Sequence, residues 1–397
     1  MLTVNEAINL ILENTPNKTE LSQKELLEAK GFILAEKIIA DRDYPPFNRA
    51  TMDGYAISSS DLEKKNNFNL IGEIFAGDNW KKPQSIKPFS TVKIMTGSPV
   101  PEFFDIVVKK EDVKVKGKTI SVQGKNYFPW LNIAKQGEDA TKGMVVSRQG
   151  KLIDESILTV AASLGYNDLY VSTPPRVSLI STGNEILPIG INALPNQIRD
   201  CNSITITSML NKFNIKLKKH WLIPDNKRII EETISKCFKS DICIITGGVS
   251  AGDADYIPQV LKKIGVKEIF HKVMIRPGKP IWFGKKEETL FFGLPGNPIS
   301  ARITFKVFVE PCIRKFLHVP EQPGYFLPLL KSRTKKHNFT EYFRVKIVNK
   351  DNLSYLQEIP SNGSGDFISS IDTVGLGIHP ADNTELPKNS QVEFLFW

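Results

Sequence analysis

The chain has 397 residues, 41% of them hydrophobic and 24% charged, which sets a prior of roughly two to three domains and excludes a disordered polymer. Its net charge of +9 favours anionic partners, but the lysines are scattered and no nucleic-acid motif appears, so no nucleic-acid partner is expected. No apolar run approaches a membrane span, and the start MLTVNEAINLILENT lacks the basic segment of a signal peptide, so no membrane association is expected and the expected compartment is cytoplasmic.

Thr3 and Glu6 form a capping-box pattern ahead of VNEAINLIL, whose apolar residues recur at helical spacing. Ser22 and Glu25 repeat the pattern ahead of LLEAK, with Gly31 as the stop. After Pro45-Pro46 the texture changes. Short apolar runs (GYAIS, FNLIGEIFAG, TVKIMTG, DIVVKKEDVKV, KTISVQG) alternate with turn residues, as in a small β domain. DESILTVAASLG then reads as a helix ending at Gly165. Helical texture on both sides of a β block predicts a β domain (49–141) inserted into a discontinuous helical domain (1–48 and 142–172).

Beyond STPP (172–175) strands and helices alternate. RVSLIST, IKLKKHWLI, DICIIT and ETLFFG read as strands. NSITITSMLNKF (with Asn202 as its cap), DNKRIIEETISKCF, IPQVLKKIG and ISARITFKVFVEPCIRKFL read as helices. This predicts a doubly wound α/β domain (173–318) with parallel strands. From 319 to 397 the chain is β-like again, closing on QVEFLFW. The four cysteines, Cys201, Cys237, Cys243 and Cys312, form no CxxC and are expected as buried structural thiols, without zinc or redox chemistry.

Three predicted strands run into glycine-rich loops: Thr182-Gly183-Asn184-Glu185, Thr246-Gly247-Gly248-Val249-Ser250 and Gly293-Leu294-Pro295-Gly296-Asn297-Pro298. In open α/β sheets ligands bind outside the carboxyl ends of the strands, where glycines let the backbone approach a phosphate. Any one of these loops reads first as an ordinary tight turn; three on one edge would form an anion crevice. Gly248-Val249-Ser250-Ala251-Gly252 also matches the GxSxG elbow of serine hydrolases. Asp253 and Asp255 argue against that use, because their charge has the wrong sign beside a developing oxyanion.

Carboxylates beside a phosphate loop suit Mg²⁺, which binds through one or two of them plus substrate phosphates. Glu185, Asp225, Asp253 and Asp255 stand at such positions, although Asp225 after Pro224 is equally an N-cap. Arg276-Pro277-Gly278-Lys279-Pro280 is a rigid loop with two cations, fit to clamp an oxyanion or simply to turn the chain.

The runs PPFNRATMDGYA, KIMTGSPVP, GED, STGNEIL, GGVSAGDADY, RPGKP and GLPGNP, in that order along the whole chain, resemble the molybdopterin molybdenumtransferase family: the bacterial MoeA proteins and the E domain of gephyrin. The resemblance implies a helical domain, an inserted β domain, a molybdopterin-binding α/β domain and a C-terminal β-barrel (319–397). It implies a homodimer with its cleft between one subunit's α/β domain and the other's inserted domain. The implied substrates are adenylylated molybdopterin and molybdate, with Mg²⁺, AMP release and a molybdopterin adenylyltransferase as upstream donor. Asp53, Thr96, Asp139, Glu185, Asp225, Asp255 and Lys279 carry over as catalytic, and Glu185, Asp225 and Asp255 also as metal and water ligands. Gly247, Gly248, Ser250, Arg276, Pro277, Pro295, Gly296, Asn297, Pro298, Arg344 and Ser364 carry over as substrate-binding. The family usually shows Lys where this chain has Arg276, and Ser361 competes with Ser364. The alternatives are a pterin-binding scaffold on the same fold, a relative that adenylylates the pterin, and a serine hydrolase using Ser250.

Overall fold

The computed structural model describes residues 1–17, 20–78, 80, 85–249, 256–321 and 323–397. Two compact units result: one takes residues 1–35, 149–154 and 168–397, the other residues 36–148 and 155–167.

In the smaller unit every short apolar run becomes a strand. The six-stranded sheet runs Ile106–Lys109, Gly54–Ile57, Ser90–Ile94, Asn67–Ile74, Thr119–Val122 and Val113–Lys116 in spatial order. Alternation sends Ala56, Val92, Ile94 and Val107 into one core and Tyr55, Ile57, Val108 and Ile120 into another. Gly54 is required at its place, because a Cβ there would sit 1.9 Å from the Val108 carbonyl oxygen. The helix Glu155–Ser163 belongs to this unit, and Gly165 follows it at φ +84°.

The larger unit begins with the helix Val4–Asn14. The Thr3 hydroxyl accepts from Glu6 N at 3.3 Å, and Glu6 Oε2 accepts from Thr3 N at 2.8 Å, closing the expected capping box. Its stripe of Val4, Ala7 and Ile11 is buried in the α/β core. The second helix start at Ser22 is overturned. Leu21–Glu25 is a strand paired antiparallel with Asp168–Ser172, and only Leu26–Ala29 turns helical before Gly31. A four-residue helix repays little of its nucleation cost, whereas a five-residue pairing satisfies the backbone across 143 to 151 positions of sequence separation.

The central sheet has six strands: Leu217–Ile223, Val177–Thr182, Ile242–Thr246, Thr289–Leu294, Trp282–Lys286 and Lys267–His271, in spatial order. The first four are parallel, as expected. The fifth is antiparallel to both its neighbours, joined to the fourth by a hairpin, so the sixth again points with the first four and the sheet is mixed. Leu179, Ile244 and Phe292 face the helices Cys201–Asn211 and Pro298–Thr304 on one side. Ile180, Ile245 and Phe291 face Lys227–Lys236 and Ile257–Lys263 on the other. The 298–316 helix passes through a π segment at Phe305–Val309. Phe292 is fully buried, its ring centre 4.8 Å from that of Phe283. Phe292→Ala is expected to destabilise the unit by about 3–5 kcal/mol in urea unfolding; a loss below about 1 kcal/mol would mean that the sheet face is not packed as described.

The C-terminal sheet orders Ile275–Arg276, Thr340–Lys350, Gly375–His379, Gln391–Phe396 and Tyr325–Pro328, with Leu353–Glu358 also paired to Thr340–Lys350. Its first member comes from the RPGKP loop: Ile275 pairs with Thr340 and Arg276 with Glu341. Cys237, Cys243 and Cys312 are buried free thiols; Cys201 departs from expectation and is exposed.

Candidate active site

Parallel register decides where the glycine loops emerge. Thr182 pairs with Ile223, Ser181 with Thr246, and Thr246 with Leu294, so the loops that follow leave one edge of the sheet together. They line a cavity of about 1130 Å³ with the 275–280 loop and residues 333–364 of the C-terminal sheet. All of it lies within the larger unit.

The loops are close-packed. Gly247 has φ +90°, and a Cβ there would lie 2.4 Å from the Thr182 carbonyl oxygen. Gly247 N donates to Leu294 O at 3.1 Å, and a Cβ on Gly296 would stand 3.6 Å from Gly247 Cα. Gly248 is also at positive φ, +62°. Ser250, Asp253 and Asp255 lie outside the described residues, so neither the GxSxG serine nor that part of the acidic set is placed. Of the histidines a hydrolase would use, His271 Nε2 lies 3.0 Å from Val249 O, His337 pairs with Glu341, and His379 Nδ1 faces Arg333.

Asp225 is not the helix cap. That role falls to Asn226, whose side chain accepts from Arg228 N and Ile229 N. Asp225 is instead turned to the cavity edge: Thr182 Oγ1 donates to its Oδ1 at 2.5 Å, and its N donates to Asn184 Oδ1 at 3.1 Å. Glu185, exposed, lines the same cavity. Neither carboxylate is ion-paired among the described residues, and no group of three or more His, Cys, Asp or Glu that could hold a metal occurs among them.

The cationic loop is held from behind. A Cβ on Gly278 (φ +107°) would meet Thr304 Cγ2 at 2.4 Å, and Val273 N donates to Lys279 O at 3.1 Å. The Arg276–Pro277 peptide is cis. Arg276 and Lys279 have no ion pair among the described residues, and Lys279 Nζ stands 5.5 Å from the Phe339 ring centre. Arg344, on the same cavity, is only 5% exposed and donates to the Asp366 carbonyl. Burial lowers its pKa from the ordinary value, so the cation is held in a desolvated place. Ser364 Oγ accepts from Asn297 Nδ2 at 2.9 Å, tying the GLPGNP turn to the C-terminal wall; Ser361 lines the cavity too.

Asp53, Thr96 and Asp139 lie in the smaller unit. Thr96 donates twice to Asp53 Oδ1, from its N at 2.9 Å and its hydroxyl at 2.8 Å. Those bonds, chiefly the backbone one, hold the Asp53 carboxyl below the usual range, with Lys110 3.8 Å away adding to the effect. Asp139 is exposed, its N donating to Tyr44 O at 3.0 Å.

Other residues at or behind the cavity wall carried no sequence signal for this site. Arg333 bonds Glu341 at 3.0 Å and Glu358 at 3.0 Å, with His379 Nδ1 2.8 Å from its Nη1. Arginine only donates, so Nδ1 is the acceptor and His379 is neutral, in keeping with burial pushing its pKa down to about 4. Burial would raise the Glu341 carboxyl; Arg333, His337 and Arg276 outweigh it and bring it below the usual value. Asp200, not Asn202, caps the Cys201–Asn211 helix through Ser203 N at 3.0 Å. Asn202 is 6% exposed, and its Nδ2 donates to Gly296 O at 2.7 Å.

Three family models match the chain: the MoeA N-terminal region (domain I and II) at residues 2–165, a probable molybdopterin binding domain at 178–315 and the MoeA C-terminal region (domain IV) at 327–397. The chain is 36% identical over 339 residues to a molybdopterin molybdenumtransferase of Haemophilus influenzae, covering 85% of this chain and 83% of that one. It is 30% identical over 382 residues to one of Bacillus subtilis, covering 91% and 86%. The crystal structure of a molybdopterin biosynthesis moeA protein from Pyrococcus horikoshii OT3 superposes with a TM-score of 0.85 at 27% identity, covering 100% of both chains.

Proposed function

This chain belongs to the molybdopterin molybdenumtransferase family, and from that premise we propose that its crevice takes adenylylated molybdopterin and molybdate, releases AMP, and yields molybdenum cofactor. As a transferase of molybdenum-cofactor biosynthesis, it works on substrates that are anionic throughout. The observation that carries the finer reading is the convergence of three glycine-rich strand ends, the Asp225 and Glu185 carboxylates and the Arg276/Lys279 loop on one cavity.

The turns around Gly247, Gly248 and Gly296 receive the phosphates through backbone that carries no Cβ at those three positions. Arg276 and Lys279 hold the molybdate oxyanion, with Pro277 stiffening the loop and Arg344 and Ser364 closing the far wall. Arg276 presents a planar fork where the family usually has a point charge, which suits two oxygens of one anion. Asp225, aligned by Thr182, orients the water that cleaves the phosphoanhydride. Glu185 and Asp225, with Asp255, would hold Mg²⁺. Two described carboxylates without a third ligand group suit an ion that completes its shell with substrate phosphate and water. When bound, the ion neutralises charge developing on the cleaved phosphates.

In a homodimer the Asp53–Thr96 pair and Asp139 of one copy would serve the crevice of the other. A molybdopterin adenylyltransferase would supply the substrate, in the cytoplasm. No helix among the described residues is long and apolar enough to cross a membrane. The test is AMP release from the purified chain given adenylylated molybdopterin and Mg²⁺, with and without molybdate. Molybdate-dependent release with cofactor formation is the expected result; retention of uncleaved pterin in both arms would make the chain a carrier.

A further inference from the structure

We propose that Asn202 is a positioning residue of this crevice, one that holds the Gly296–Pro298 turn in place to receive the phosphate-bearing end of the substrate. The inference rests on the proposed function above.

The Asn202 side chain sits at the cavity wall, 6% exposed. Its orientation is set by chemistry: Gly296 O, 2.7 Å away, can only accept, so the atom facing it is the NH₂ group. The other half of the amide, Oδ1, is buried with no hydrogen-bond partner among the described residues. The helix cap that would give Asn202 a structural duty is supplied by Asp200.

A single neutral hydrogen bond returns less, on average, than an unpaired buried carbonyl costs. Asn202 therefore does not earn its place through stability. What it does hold is Gly296, in the middle of the GLPGNP turn, and among the described residues no other side chain bonds to Gly296. The second half is held separately, by Asn297 Nδ2 on Ser364 Oγ at 2.9 Å and Ile299 N on Ser364 O at 3.2 Å. The turn in turn packs on Gly247, so a shift at Gly296 displaces two phosphate-facing loops at once. The cationic loop has its own anchors on Thr304 and the C-terminal sheet and does not depend on Asn202.

Two variants test this. Asn202→Leu keeps the volume and removes both polar atoms; Asn202→Asp keeps the shape and replaces the donor with an acceptor against Gly296 O. Both are compared with wild type for KM of adenylylated molybdopterin, KM of molybdate, AMP affinity and urea midpoint. The expected result is a KM for the adenylylated substrate and an AMP Kd raised about tenfold in both variants. The KM for molybdate should stay within about twofold, because its loop is not touched. The midpoint of Asn202→Leu is expected at or above wild type. Unchanged KM and AMP affinity would overturn the proposal, and so would a destabilised Asn202→Leu, which would make the residue structural. If wild type itself released no AMP, the functional reading beneath would fail, and this inference with it.

Discussion

Asp225→Ala is expected to cut molybdate-dependent AMP release by about 10²–10³-fold while leaving the fold standing. The carboxylate sits at the end of a parallel strand, aligned by the Thr182 hydroxyl at 2.5 Å and without a cation partner among the described residues. Its loss removes one hydrogen bond to a charged group, worth about 1.5–3 kcal/mol to stability. The adjacent residue supplies the control. Asn226 caps the 227–236 helix, so Asn226→Ala is expected to lower stability by about 1 kcal/mol and barely change turnover. Single-turnover AMP release and urea unfolding on both variants separate the roles. If Asp225→Ala turned over normally, or if the two effects were exchanged, the assignment of Asp225 to the chemistry would be wrong.

Gly247→Ala is expected to act in the opposite style, through the backbone. The residue holds φ +90°, and its new methyl would stand 2.4 Å from a carbonyl oxygen of the neighbouring strand. Neither the angle nor the strand can give easily, because Thr182 is buried in the sheet register with Ile223 and next to the Ser181–Thr246 pair. A loss of roughly 2–3 kcal/mol in stability follows from the strained conformation. Activity should fall by about a hundredfold even at temperatures where the variant is folded, because a loop displaced by about 1 Å no longer presents its amides to the phosphate. A variant with wild-type KM and an unchanged midpoint would show that this loop bears neither the strain nor the substrate.

Much of the architecture was legible before any coordinates. The capping box at Thr3 and Glu6, the alternating runs of the 49–141 segment and the β-α alternation after 173 depend on neighbours a few residues apart, so periodicity reports them. The errors share a cause. Ser22 and Glu25 carry a genuine helix-start pattern, but the strand at 168–172 offers five residues of pairing that local chemistry cannot foresee. Asn202 has the type and position of a cap, and Asp225 offers either a cap or a site carboxylate, but Asp200 and Asn226, two and one residues away, take the amides. The strand Trp282–Lys286 runs antiparallel to the rest because the tight connection between 286 and 289 leaves no room for a crossover helix, whereas Lys267–His271, antiparallel to it, runs with the first four.

The site divides along the same line. By itself the sequence determined which chemistry is on offer: glycines where backbone must pass close, acids beside them, and two cations in a proline-stiffened loop. Each of those signals is local, carried by residue type and spacing. Only the tertiary structure decided which of them share a cavity. Parallel register brings residues 182, 225, 247 and 296 to one edge although they are spread over more than a hundred positions. Pairing of Arg276 with Glu341 brings the C-terminal wall, with Arg344 and Ser364, to the same place. Long-range register and the satisfaction of buried polar groups are properties of the whole packed chain, and for that reason no window of sequence contained the Arg333 network or the task of Asn202.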